Sequence, residues 1–100
     1  MATAITATAT LTGGSAFAAS FNYGPHGSDQ STFTEADMAY DGTKYSVVAQ
    51  IESGIYDYFI YINCLMGQGY QTSVTGASSP DQHTGIVPYG GRIPGSFVVA

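Results

Sequence analysis

The chain has two histidines, His26 and His83, and each sits in a short polar segment beside a carboxylate. His26 lies in Gly-Pro-His-Gly-Ser-Asp-Gln and His83 in Ser-Pro-Asp-Gln-His-Thr-Gly. Both segments share the string Asp-Gln-x-Thr, from Asp29 to Thr32 and from Asp81 to Thr84. An imidazole next to a carboxylate is raw material for a general base or a metal ligand. The spacing matches no metal signature, and Ser, Gly and Asp are also what solvated turns are made of. The chemical expectation is a ligand site built from His26, Asp29, Gln30, Asp81, Gln82 and His83, with no metal and no cofactor.

Paired carboxylates offer a second chemistry. Glycoside hydrolysis needs two acids across a cleft. Glu35 and Asp37 share one strand face, and Glu52 and Asp57 flank one turn. Acids in such places are mostly solvated edges. No Gly-x-Ser-x-Gly elbow, P-loop, dinucleotide fingerprint or His-Glu-x-x-His occurs, so no enzyme is expected. The single cysteine, Cys64, allows neither an intrachain disulfide nor a spaced zinc site. It lies in an apolar run and reads as a small buried residue; an intermolecular disulfide would need an exposed sulfur.

Eight Tyr and no Trp is an uneven choice. Tyrosine joins apolar area to a polar tip, which suits a wet interface or a sugar platform. Tyr45, Tyr56 and Tyr58 fall on an apolar row, so they also read as core residues with the hydroxyl at the edge.

Elements that would position these residues are strands. Ile5, Ala7, Ala9 and Leu11 alternate with Thr6, Thr8, Thr10 and Thr12, the period of a half-buried strand. Phe17, Ala19, Phe21 and Tyr23 form the next apolar row. A three-residue loop, Gly13 to Ser15, sets Leu11 opposite Phe17 and keeps both rows together. Asp41-Gly42, Ser53-Gly54 and Gly67-Gln68-Gly69 are turn signals. Pairing outward from them sets Met38 against Tyr45, Ile51 against Tyr56 and Met66 against Tyr70. That predicts a central four-strand meander over 31–75, with strands at 31–40, 43–52, 55–66 and 70–75. A short helix from Glu35 to Tyr40 competes, because Thr32-x-x-Glu35 resembles a capping box. Residues 76–85 read as a loop, and Tyr89 to Gly95 as too rich in Gly and Pro for a regular ladder. The expected fold is all-β: an antiparallel β-sandwich or jelly-roll-like domain of about eight short strands over residues 1–100.

Charge bounds the partners. Only 9% of the 100 residues are charged, against about 25% in an ordinary domain. Seven are acidic and two basic, for a net charge of -5. Two cations make no basic patch, so no nucleic acid and no anionic membrane surface is expected. No apolar run reaches transmembrane length, and the first 20 residues lack the cationic start of a signal peptide. They read as part of the folded structure.

Two functions follow as expectations. The first is a non-enzymatic structural protein, a self-assembling β-subunit of the capsid-decoration, tail, sheath or fibre type. Its terminal strands and uncharged Thr/Ser/Tyr surface would make the contacts of a homo-oligomer, in a virion or an extracellular assembly. Val48, Phe59, Tyr61, Phe97 and Val99 are the expected interface residues. The alternative is a small lectin-like module that binds a glycan through polar loops 24–31 and 76–85.

Overall fold

The computed structural model describes residues 2–64 and 67–100. Nine strands form among them, with one 3-10 turn, Gln30–Thr32, and no α-helix. One sheet has five strands in the order β4 (Ala39–Tyr40), β5 (Tyr45–Ile51), β1 (Thr3–Leu11), β7 (Gly69–Thr75), β8 (Asp81–Ile86). The other has four, in the order β3 (Thr34–Asp37), β2 (Ala18–Pro25), β6 (Gly54–Asn63), β9 (Arg92–Val99). All pairs are antiparallel. The sandwich expected from the alternating rows is the observed fold.

The meander is not. β5 pairs with β1 and not with β6. β6 pairs with β2 and β9, and β7 with β1 and β8. Ser53-Gly54 therefore joins two sheets and makes no hairpin, and so does the link from β6 to β7. The expected pairing of Met66 with Tyr70 lies outside the described residues. The physical reason is that an apolar row must face the core, and it does so whether its neighbour in sequence lies beside it or across from it. The rows Ile5 to Leu11, Tyr45 to Ile51 and Tyr58 to Ile62 therefore face the core although their strand partners differ from the expected ones.

Three local expectations change for identifiable reasons. The turn at Asp41 is a hairpin, but it sets Tyr40 opposite Tyr45. The Asp41 carboxylate accepts from the N–H groups of Thr43 and Lys44, at 2.8 and 2.9 Å, and so wraps residues 41–44. Met38 is left buried at a corner where the chain passes from one sheet to the other. The Gly13–Ser15 link also crosses between sheets, so Phe17 lies beside the end of β6, its N–H donating to Asn63 C=O at 2.8 Å, and its side chain is 79% exposed. Residues 81–86 form β8 because β7 offers them an edge, and Arg92 to Gly95 enter β9 at a sheet edge, where Pro94 is tolerated.

The core is asymmetric. The four-stranded sheet supplies rings: Phe21, Tyr23, Tyr56, Tyr58 and Phe97 contact one another at centroid distances of 5.1–6.3 Å. The centre of the five-stranded sheet supplies small side chains, with Ala7 and Ala9 fully buried and Ala49 nearly so. Large against small fills the layer between sheets without voids. Phe21→Ala is expected to cost about 3–5 kcal/mol in urea unfolding. Thr72 is fully buried, and its hydroxyl finds no partner among the described residues. Thr72→Val keeps the shape and removes that orphan, so it should raise stability by about 1–3 kcal/mol in the same measurement.

Candidate functional site

The two histidine segments fold differently and line different cavities. Asp29 caps the turn Gln30–Thr32, accepting from Ser31 N–H at 3.0 Å. That contact holds its carboxyl below the ordinary range. Asp81-Gln82-His83-Thr84 is instead strand β8. Gln30 borders a cavity of about 410 Å³ with Ser28 and Asp57, whereas Asp81 and Gln82 border another of about 260 Å³ with Val74 and Pro80. The shared string Asp-Gln-x-Thr thus builds two unrelated structures. The six expected ligand residues do not converge on one site. Among the described residues, no three His, Cys, Asp or Glu side chains come together.

Each histidine has found its own carboxylate. His26 Nδ1 donates to Asp57 Oδ1 at 2.8 Å, and Gly27 N–H donates to Asp57 Oδ2 at 2.9 Å. The Gly27 N–H, then His26, hold the Asp57 carboxyl below its usual range. This pair is open to solvent and ties the start of the 26–33 loop to β6.

The second pair closes the sandwich. Asp81 Oδ2 accepts from His83 Nε2 at 2.7 Å and from the Tyr58 hydroxyl at 2.9 Å. Tyr58 rises from the four-stranded sheet and Asp81 hangs from the edge of the five-stranded one, so the contact bridges the layers. Gly95 makes room for it: a Cβ there would lie 2.1 Å from Asp81 Oδ2. Burial opposes ionisation of Asp81, but the hydrogen bonds from His83 and Tyr58 outweigh it and lower the pKa. Burial, then the Asp81 hydrogen bond and charge, push the Tyr58 hydroxyl far above its ordinary value. The cluster holds two sheets together and leaves the His83 ring half-exposed at the β8 edge.

Expected interface residues are scattered. Phe97 and Val99 are core residues, 1% and 3% exposed. They belong to the inward row of β9. Phe59 and Tyr61 lie on the outward face of the four-stranded sheet and Val48 on that of the other, so Val48 and Phe59 do not pair. Phe33 stacks on Phe59 at 6.0 Å and the Arg92 guanidinium covers it at 4.7 Å, leaving it 7% exposed. Val48 is 58% exposed. The N-terminal strand is no free donor either: β1 is flanked by β5 and β7. β9 lies at an edge, but Pro94 interrupts its donors and Ser79 pairs with Val98. Cys64 is half-buried, and burial pushes its thiol up.

Two outward faces emerge instead, and the Thr and Ser of the expected uncharged surface gather on one of them. The outward positions of the five-stranded sheet include Thr6, Thr8 and Thr10 on β1, Ser46 and Val48 on β5, and Ser73 on β7. No Asp, Glu, Lys or Arg occupies any outward position of these five strands. Thr8 and Ser73 hydroxyls bond across strands at 2.5 Å. The opposite sheet carries Glu35, Asp37, Asp57 and Arg92 on its outward face. There Ser20, Asn22, Glu35, Phe59, Tyr61 and Arg92 line a groove of about 400 Å³. The signal was available only as alternate positions on strands whose register was unknown. No described helix is long and apolar enough to cross a membrane.

Asp81 generates a pH prediction. Its folded pKa lies below the unfolded one, so its stabilisation is fully present above the unfolded value of about 3.9 and is lost as pH falls through the lowered folded value. Asp81→Asn should therefore destabilise by about 1.5–3 kcal/mol near neutrality, with the gap from wild type closing below about pH 4. Urea midpoints across pH check this; a gap unchanged into strong acid would contradict it. No protein-family model, no curated protein and no solved structure matches this chain.

Proposed function

We propose that this protein is a non-enzymatic structural subunit that self-associates through the outward face of its five-stranded sheet. One observation carries the reading: in a chain of net charge -5, that whole face is uncharged. Interface cores are depleted in charge, while rims keep it. The charges of this sheet sit at its margins or on its inward side: Asp41 and Lys44 in the β4–β5 turn, Glu52 just after β5, and Asp81 on the inward row of β8. Thr and Ser lie low on a pleated surface, so a second sheet can pack on them at the usual spacing of about 10 Å. The same patch on two copies gives a two-fold contact. The capsid-decoration, tail, sheath or fibre type of assembly is the setting this surface suits.

Sedimentation velocity over a concentration series tests the reading. Wild type should shift to larger species as concentration rises into the micromolar range. Thr8→Glu, at the centre of the face, should remain monomeric and folded, with a urea midpoint lowered only by loss of the Thr8–Ser73 hydrogen bond. Asp37→Asn, on the opposite sheet, should associate as wild type does. Repulsion between acidic copies weakens towards the pI of about 4.3 and with added salt. Association should therefore strengthen between about pH 8 and pH 5, and at raised salt. A wild type that stays monomeric throughout would overturn the proposal.

A further inference from the structure

We infer that the outward face of the four-stranded sheet carries a groove for a neutral glycan. The inference is independent of self-association, because the groove lies on the other side of the molecule. Strand register builds it. Asp37, Ser20, Tyr61 and Arg92 stand in one row across β3, β2, β6 and β9. Glu35, Asn22 and Phe59 stand in the next. Four strands at their normal spacing give a span of about 14 Å.

The floor is a built polar surface. Ser20 is 4% exposed and Asn22 6%. Asn22 Nδ2 donates to Ser20 Oγ at 3.0 Å. That leaves the Asn22 carbonyl oxygen and second N–H without a protein partner among the described residues. An amide held this way both accepts and donates. On one wall, Arg92 is fixed from two sides: its Nη1 donates to Gln30 Oε1 at 2.9 Å and its plane covers Phe59. Its remaining donors are thus oriented before a ligand arrives, which lowers the entropy lost on binding. On the other wall Glu35 is an acceptor. The loop before β9 closes one end, held by Ile62 N–H donating to Gly91 C=O at 2.8 Å.

This set selects a ligand class. The carboxylates of Glu35 and Asp37 oppose an anion, and Arg92 opposes a cation. What fits is an uncharged molecule whose groups both donate and accept, with an apolar face for the Tyr61 ring. A pyranose has all three properties. The volume of about 400 Å³ is within the range of small-molecule sites. Two residues of the polar segments 24–31 and 76–85 are engaged within the fold: Gln30 holds Arg92, and Asp81 bridges to Tyr58.

The test uses the isotope-labelled full chain, screened on an array of neutral and acidic glycans and titrated by NMR with maltotriose, cellotriose, chitotriose and sialyllactose. At least one neutral glycan should bind and shift the amides of Ser20, Asn22, Tyr61 and Arg92. Tyr61→Ala and Asn22→Ala should each weaken that binding about tenfold, with the dispersed spectrum of a folded protein retained. Thr8→Glu should leave it unchanged. Absence of binding to every neutral glycan at millimolar concentration overturns the inference. So does binding of acidic glycans alone, shifts confined to loops 24–31 or 76–85, or affinity unchanged in both groove variants.

Discussion

The distance between the two sheets is set by rings on one side and small side chains on the other. Phe21, Tyr58 and Phe97 are almost fully buried, and Ala7 and Ala9 have no exposed surface. Enlarging the alanines would force the sheets apart, and shrinking the rings would leave a void, both costly in a close-packed interior. The tyrosines extend this packing to the rim. Tyr45 accepts from Ala16 N–H at 2.8 Å and donates to Ala16 C=O at 2.6 Å, pinning the link between β1 and β2. Tyr56 donates to Glu52 C=O and Tyr58 to Asp81. A hydroxyl that both gives and takes a proton suits such work better than an indole, which only donates. Tyr45 uses both capacities at Ala16.

With the layers so fixed, the two outward faces diverge. One is uncharged, mostly Thr, Ser and Gln with Val48 and Ile86 exposed among them. The other is grooved and carries both signs of charge. The 26–33 loop folds over the second face and places Phe33 against Phe59, and a Cβ on Gly24 would come within 2.6 Å of the Phe33 ring. The proposed self-association and the proposed glycan groove accordingly lie on opposite sides of the sandwich.

Inward rows were legible in the residues because period-two alternation reports a face directly. Ile5 to Leu11, Tyr45 to Ile51 and Tyr58 to Ile62 all point where their spacing says. Pairing partners were not legible, because a short Gly-containing link serves a hairpin and a sheet-to-sheet crossing equally well. β8 shows the same limit: its Asp-Gln-His-Thr-Gly composition is that of a loop, and only the edge of β7 makes it a strand. The groove required Ser20, Tyr61 and Arg92 to stand in one row, and residues so far apart in the chain meet only once the register is known. Conversely, His26 and His83 drew attention by residue type; His26 ties its loop to Asp57 of β6, and His83 bonds Asp81 of its own strand, the residue that bridges to Tyr58.

The central claim is that the uncharged face is the one buried when copies meet. Threonine methyl groups labelled for NMR, with a soluble paramagnetic agent added, read it directly. Thr6, Thr8, Thr10 and Thr75 should lose their relaxation enhancement as protein concentration rises, while Thr32, Thr34 and Thr43 keep theirs. Enhancement that stays constant on the first four, or that falls on the second three, would contradict the account.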